Sequence, residues 1–229
     1  MPTFILGPTQ RPAVCTVVFG WRVFPDTPIV VAANRDERLD REASPPSVRS
    51  GDPKVLAPRD EMAGGTWMGV NEHGVFVGLT NRWVDADLPA ERSRGRLVDD
   101  VLRAGSAPAG VETVEDAIAR DSYDGFNVIV ADPESATLLE YDGALRKRAL
   151  EDGVHVLVNT GADGDYEVPA HRSDIAEAQG ERADRVRAEL QPEPGEGPTE
   201  WLDRGKQVLG DHEFGVCIHG DGYGTVSMS

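Results

Sequence analysis

Apolar residues along the chain fall into short runs separated by polar turns, and this pattern predicts several β-hairpins. The first joins strands at residues 15–21 and 29–33 through a loop that contains Pro25, Asp26 and Pro28. The second joins residues 66–70 to 75–80 around an Asn71–Gly74 turn. The third joins Phe126–Ala131 to Ala136–Tyr141. Residues 156–158 and 214–218 are predicted as further short strands, and the proline-rich residues 40–63 as loop.

Helical periodicity separates these strands. It predicts helices at residues 95–103, 114–120, 174–190 and 200–209, with Gly105 and Gly210 closing the first and the last. Strands and helices do not alternate strictly enough for a doubly wound sheet. The pattern favours an α+β layered domain at residues 15–229, preceded by an extension at residues 1–14 that is either disordered or upstream of the true start.

Composition narrows the possible partners. The 229 residues include 23 Lys and Arg against 40 Asp and Glu, a formal charge of −17, which argues against nucleic acid as a partner. With so few lysines the acidic excess suits a protein that works in concentrated salt, and an ordinary acidic cytosolic protein is the alternative. Two cysteines, no long apolar run and no signal-peptide pattern predict a cytoplasmic chain with free thiols.

The first hairpin brings a cysteine close to charged residues. With a turn near Pro25 and Asp26, partner positions sum to about 50 to 52, which places Cys15 opposite Arg35, Asp36 or Glu37. A guanidinium near a thiol favours the nucleophilic thiolate. The alternative is a core cysteine beside a structural salt bridge.

The second hairpin suggests an oxyanion site. Its pairing places Asn81 beside Gly64 and Gly65, where an amide and exposed backbone N–H groups could stabilise an oxyanion. A capping asparagine at a plain strand end is the alternative.

Five motifs together resemble one family. They are CTVV at residues 15–18, ANRDE at 33–37, AGGTWMGVN at 63–71, HVLVN at 155–159 and VCIH at 216–219. Their identity and order resemble the NRDE family, also called the Transport and Golgi organization protein 2 family. That family is similar to N-terminal nucleophile (Ntn) hydrolases of the penicillin V acylase and bile salt hydrolase type, which implies a four-layer αββα sandwich.

The resemblance implies roles for particular residues. Cys15 would be the nucleophile, Arg35 and Asp36 its polar partners near the α-amino group, and Asn81 and Asn159 groups around the oxyanion and the amino terminus. Glu37 is the second choice for the carboxylate. The same motifs supply candidate substrate-contacting residues: Asn34, Glu37, Trp67 and Asn71.

Both ends of the sequence matter for this interpretation. An amide nitrogen at Cys15 cannot act as a base, so we expect translation from residue 14 and removal of the initiator methionine. The segment 223–229 matches only the beginning of the family's final segment, so the closing strand is expected to be missing, leaving an exposed sheet edge.

The remaining chemistry leaves two functions open. The first is hydrolysis of a small acylated amide without a cofactor. The second is a non-enzymatic carrier of heme or lipid, with His219, Cys217 or Cys15 as possible iron ligands. Cys217 and His219, with His212 and Asp221 nearby, match no standard zinc finger, so the spacing predicts no metal site. A small-molecule ligand or substrate is expected in either case.

Overall fold

A computed structural model describes residues 15–228. The strands are β1 (Thr16–Phe24), β2 (Thr27–Arg38), β3 (Ala43–Arg49), β4 (Val55–Asp60), β5 (Met68–Asn71), β6 (Phe76–Asn81), β7 (Phe126–Ala131), β8 (Ala136–Tyr141), β9 (Leu145–Ala149), β10 (Gly153–Val158), β11 (Gly161–Ala162), β12 (Asp165–Tyr166), β13 (His219–Gly220) and β14 (Tyr223–Met228). The helices are α1 (Arg94–Val101), α2 (Ala107–Arg120), α3 (Ser173–Glu189) and α4 (Pro198–Gly210), with a 3₁₀ turn at Ala170–Arg172.

The strands form two seven-stranded antiparallel sheets. One has the order β12-β11-β10-β1-β2-β14-β13 and the other the order β3-β4-β5-β6-β7-β8-β9. Helices α3 and α4 pack on the first sheet, and α1 and α2 on the second. Apolar side chains of β1 and β2 meet those of β6, β7 and β8 between the sheets. The layers are therefore α, β, β and α, as the apolar pattern and the resemblance both predict.

Each interface between layers has its own apolar core. Phe19 of the first sheet stacks on Phe76 of the second, with ring centroids 5.6 Å apart. Trp201 of α4 is fully buried against Phe24 of β1. Aromatic contacts of this kind contribute about 0.5–1.5 kcal/mol beyond their buried area. Within residues 15–228, no helix combines the length and apolar character that crossing a membrane requires.

The first hairpin has the register that the sequence predicts. Thr16 pairs with Asn34 and Trp21 with Ile29, so that partner numbers sum to 50, and the turn lies at Pro25 and Asp26. Strand β2 continues well past the predicted end at residue 33. Its polar end is held because β14 pairs with it from Asn34 to Arg38.

The other two predicted hairpins are also present. Strands β7 and β8 match their predicted bounds, and in the second hairpin Met68 pairs with Gly78. That pairing ends at Met68, so it does not reach Gly64 and Gly65. A Cβ atom at Gly65 would lie 2.3 Å from the Gly95 backbone, so this glycine permits close approach of the start of α1.

Two segment predictions are wrong. Residues 40–63 contain β3 and β4 rather than only loop, because β3 is an edge strand whose two prolines sit at an irregularity between Ser44 and Ser47. Residues 214–218 form no strand, although the segment is apolar. The sheet is extended instead by β13 and β14.

The predicted helices exist with shifted ends. Helix α2 begins seven residues earlier than predicted, at Ala107, because Ser106 caps it by accepting a hydrogen bond from the Ala109 N–H. Ser93 caps α1 in the same way through the Gly95 N–H. These caps fix where the helices start beside the second sheet.

A buried polar network joins the two sheets. The Arg82 guanidinium, 4% exposed, donates to Asn127 Oδ1 at 2.7 Å and to Glu140 Oε1 at 2.8 Å. Asn127 Nδ2 donates in turn to the Val158 carbonyl at the end of β10 at 2.9 Å. This network holds the ends of β6 and β10 together. The candidate site lies beside these two strand ends.

Candidate active site

Cys15 lies immediately before β1, between the ends of two neighbouring strands. Val17 pairs with Leu157 on one side and with Ala33 on the other, and extending both registers places position 15 between positions 159 and 35. The Cys15 backbone nitrogen donates to Asn159 Oδ1 at 3.0 Å. Its thiol contacts the Asp36 carbonyl oxygen at 3.8 Å. The motif residues that the sequence analysis grouped around Cys15 therefore do meet.

Asn159 connects Cys15 to both sheets. It is fully buried, and its Oδ1 also accepts a hydrogen bond from Gln179 Nε2 at 2.9 Å. Its Nδ2 donates to the Asn81 carbonyl at 2.8 Å, and its own carbonyl accepts from the Trp83 N–H at 3.0 Å. With both ends of the amide engaged, Asn159 is suited to position the Cys15 nitrogen rather than to donate to an oxyanion.

Arg35 lies between an aromatic ring and a carboxylate. Its guanidinium carbon is 4.3 Å from the centroid of the Trp67 ring, and its Nη2 is 3.7 Å from Glu37 Oε2. The side chain is 8% exposed, so the charge is largely removed from water. Stacking and ion pairing together hold the guanidinium in one orientation at the cavity wall.

Burial and the nearby Arg35 charge shift the pKa of the Cys15 thiol in opposite directions. Burial raises the pKa of Cys15 to about 11, and although Arg35 and the Asp36 hydrogen bond act in the opposite direction, they do not compensate. Arg35 acts in the expected direction, because its charge lowers the pKa of Cys15, but burial raises that pKa by more. The cost of desolvating the thiolate outweighs the attraction of one nearby guanidinium.

Asp36 is a buried carboxylate with one satisfied oxygen. Oδ1 accepts a hydrogen bond from the Thr225 hydroxyl of β14 at 2.5 Å, and Oδ2 has no hydrogen-bond partner among the described residues. Burial raises the pKa of Asp36 to about 7, although the Thr225 hydrogen bond lowers it. Asp36 can therefore change protonation state near neutral pH.

A cavity of about 220 Å³ lies beside these groups. Its wall includes Cys15, Arg35, Glu37, Trp67 and Asn81, which are among the candidate site residues. Five further charged residues of the wall are not predicted from the sequence: Arg41, Asp60, Arg92, Arg94 and Asp124.

Most of these additional charges are paired. Arg41 binds Asp60 at 2.7 Å and Arg94 binds Asp124 at 3.0 Å. Burial lowers the pKa of Arg94 even though Asp124 opposes the shift. The cavity is consequently polar and of mixed charge, with Trp67 and short aliphatic side chains as its apolar parts.

Two of the predicted substrate-contacting residues form hydrogen bonds with the backbone. Asn34 borders the cavity, but its Nδ2 donates to the carbonyls of Leu209 and Val216, on the α4 side of the sheet. Asn71 does not border the cavity. Its Nδ2 donates to the carbonyls of Leu102 and Ala104, and its Oδ1 accepts from the turn that follows β5. Backbone groups therefore engage both ends of the Asn71 amide, whereas Asn34 Oδ1 has no hydrogen-bond partner among the described residues.

Comparison with solved structures identifies the class of fold. The Caenorhabditis elegans ortholog of N-acylethanolamine-hydrolyzing acid amidase aligns with a TM-score of 0.56 and 14% identity, over 86% of each chain. Penicillin V acylase from Agrobacterium tumefaciens aligns with a TM-score of 0.48 and 15% identity, over 90% of this chain and 73% of the acylase. The layers described above and the alignment with the amidase ortholog show a four-layer αββα sandwich of the Ntn-hydrolase type.

Sequence comparison identifies the family. The family model described as Transport and Golgi organisation 2 matches residues 14–186, and the chain belongs to this family. The mouse Transport and Golgi organization 2 homolog is 32% identical over 108 residues, which cover 45% of this chain and 38% of the mouse protein. The match thus spans less than half the length of that relative.

Proposed function

We propose that the chain is a cysteine Ntn amidohydrolase that acts on a small acylated amide in the cytoplasm. The hydrogen bond between the Cys15 nitrogen and Asn159 Oδ1 carries this proposal, because it holds the residue 15 nitrogen beside a thiol on a cavity wall. An Ntn hydrolase needs its nucleophile and its α-amino base on the same residue. Both groups of Cys15 are close to the space that a substrate would fill.

The reaction requires a free α-amino group at Cys15. With an ordinary pKa of about 7.7 to 8.0, this amine accepts the thiol proton as sulfur attacks the substrate carbonyl. The amine then passes the proton to the leaving nitrogen, which gives a thioester and a free amine. Water cleaves the thioester, releases the carboxylic acid and restores the thiol. A thiol with a pKa of about 11 needs such an internal base near neutral pH.

Two neighbouring groups complete the proposed mechanism. The unpartnered Oδ2 of buried Asp36 is available to accept a hydrogen bond from the α-ammonium group. Asn81, on the cavity wall at the end of β6, is our candidate donor to the oxyanion. Arg35 and Trp67 would contact the substrate.

Processing provides the decisive test. We would compare a chain that starts at Cys15, confirmed by intact mass, with the full-length chain in a screen of N-acyl amides. The chain that starts at Cys15 should hydrolyse at least one amide, and blocking its amine with residue 14 should lower kcat by about 10²–10⁴-fold, the usual contribution of a general base. Cys15→Ala should remove activity, whereas Cys217→Ser should retain it.

Thiol reactivity gives a second measurement that needs no substrate. Iodoacetamide should modify Cys15 faster than Cys217 in the chain that starts at Cys15, and more slowly in the full-length chain. Equal, slow modification of both thiols together with inactivity on every amide would reject the hydrolase. Titration with heme or fatty acids would then test the carrier alternative, which predicts saturable binding that cavity-wall substitutions weaken.

A further inference from the structure

Three side chains with metal-binding atoms meet outside the cavity, after α4. His212, Cys217 and His219 each offer one ligand atom, and these atoms all lie within 4.8 Å of one another. Cys217 Sγ is 3.6 Å from His219 Nε2, and the rings of His212 and His219 have centroids 5.0 Å apart. The chain has only five histidines and two cysteines, and three of these seven residues form the cluster.

The spacing of these atoms suits a tetrahedral ion. Zinc bonds of about 2.3 Å to sulfur and about 2.0–2.1 Å to nitrogen place the two ligand atoms about 3.6 Å apart. The Cys217–His219 pair already has that separation. His212 and His219 are exposed, so small side-chain rotations can bring the third ligand atom closer.

A thiol–imidazole hydrogen bond explains only part of this arrangement. It accounts for the contact between Cys217 and His219, but not for a second imidazole within reach of the same point. Heme iron fits less well, because its axial ligands approach from opposite faces of a flat ring, whereas these atoms crowd together. One thiolate and two imidazoles form a donor set that zinc prefers, and the strongly acidic chain attracts cations.

We propose that His212, Cys217 and His219 bind Zn²⁺, with water as the fourth ligand. The sequence spacing argued against a metal, because the set matches no standard finger. The fold brings the three residues together although they are not adjacent in sequence. The segment that follows α4 turns, so that His212 lies close to His219 at the start of β13.

Two hydrogen bonds connect the proposed ion site to Asp36. The Ile218 N–H, next to Cys217, donates to Thr225 Oγ1 at 2.9 Å, and the Thr225 hydroxyl donates to Asp36. An ion bound only by the folded chain stabilises it by linkage. Zn²⁺ would therefore hold the segment that supports Thr225.

The test is a Co²⁺ and Zn²⁺ titration of the full-length protein without a histidine tag. Co²⁺ should give thiolate-to-metal charge transfer and the intense visible bands of a tetrahedral site, and one equivalent of Zn²⁺ should abolish both. Cys217→Ser should remove the charge-transfer band. His212→Ala and His219→Ala should each weaken Zn²⁺ binding by about tenfold or more.

Two control variants keep the result specific. His73→Ala removes an exposed histidine outside the cluster, and Cys15→Ser removes the other thiol; both should bind Zn²⁺ as the parent does. The proposal is overturned if the parent gives no thiolate-to-cobalt band, or if the band depends on Cys15. It is equally overturned if both histidine variants, checked for folding by circular dichroism, bind as tightly as the parent.

Discussion

At the scale of single residues, consecutive side chains of the Asn34–Glu37 segment lie on opposite faces of the sheet and have different roles. Side chains of consecutive strand residues point to opposite faces of a sheet. Asn34 binds carbonyls on the α4 side, whereas Arg35 stacks on Trp67 at the cavity. A motif that is continuous in sequence therefore binds backbone groups on one face of the sheet and borders the cavity on the other. This explains why the Asn34 amide binds backbone carbonyls while the Arg35 guanidinium stacks on Trp67.

Asp36 yields a prediction about stability and pH. Its pKa is raised to about 7 in the folded chain, so the unfolded chain loses this proton at lower pH than the folded chain does. The stabilising contribution is complete below the unfolded pKa of about 4 and is lost as pH rises through about 7. Asp36→Asn should remove that loss and stabilise the full-length protein at pH 8, on the order of a few kcal/mol at most. Urea unfolding between pH 4 and 8 measures it.

Asp163 provides the matched control with the opposite sign. Burial alone would raise the pKa of Asp163, but the His155 ring, 2.7 Å from Oδ2, and other partners hold it below the ordinary value. Its contribution is therefore present above the unfolded pKa and is lost as pH falls. Asp163→Asn should destabilise the chain at pH 8 and leave the decline between pH 4 and 7 in place. An unchanged pH profile in Asp36→Asn would contradict the burial argument.

The sequence predicts the part of the site that hairpin register controls. Cys15 and Asp36 meet because a short turn fixes which residues of β1 and β2 are neighbours. Gln179 and Thr225 could not be assigned in this way, since they come from distant elements that pack onto the site. One signal for Gln179 was available: it is the polar residue in the buried stripe of α3 between Ala176 and Ala183.

At the scale of elements, edge position explains the largest error in the predicted fold. Proline normally argues against a strand because it cannot donate a ladder hydrogen bond. Strand β3 contains Pro45 and Pro46 and has only β4 as a neighbour, so one side of its backbone needs no partner within the sheet. Apolar periodicity cannot reveal this strand either, because most of its side chains are exposed.

The buried polar network that connects β6, β7 and β10 gives a prediction about the stability of the protein. Replacing Arg82 with methionine would leave buried Glu140 and Asn127 without their charged partner. Removing one member of a buried ion pair typically costs about 3–5 kcal/mol, so Arg82→Met should destabilise the protein by about that amount. Chemical denaturation monitored by tryptophan fluorescence and by circular dichroism measures the change.

A surface arginine tests whether burial causes this loss. Arg146 forms ion pairs with Asp142 at 2.6 Å and Glu167 at 3.0 Å, yet its side chain is 44% exposed. Arg146→Met should change stability by no more than about 1 kcal/mol. Comparable losses in the two arginine variants would show that burial is not the cause. Because Asn127 also binds the Val158 carbonyl beside Asn159, Arg82→Met should also slow the amide hydrolysis that we propose.

At the scale of the whole molecule, the charge of −17 sets the response to salt. Many acidic side chains have no cationic partner to offset them, since Asp and Glu outnumber Lys and Arg by 40 to 23. Their mutual repulsion is screened as the Debye length falls from about 10 Å at 0.1 M to about 3 Å at 1 M ionic strength. We therefore expect the free energy of unfolding to rise as KCl increases to molar concentration, measured by urea denaturation at fixed pH.

Salt has a second effect on stability that opposes the first, so the prediction is tested by comparing the parent with a variant of lower charge. Salt also weakens surface ion pairs, so a rise in stability requires that long-range repulsion outweigh the pairs. Glu177 and Glu181 are exposed residues of α3, and replacement of both by glutamine leaves helix propensity nearly unchanged. The double variant should be more stable than the parent at low salt and gain less on addition of KCl. Stability that is indifferent to KCl in both proteins would rule out repulsion as a controlling term and leave an ordinary acidic surface.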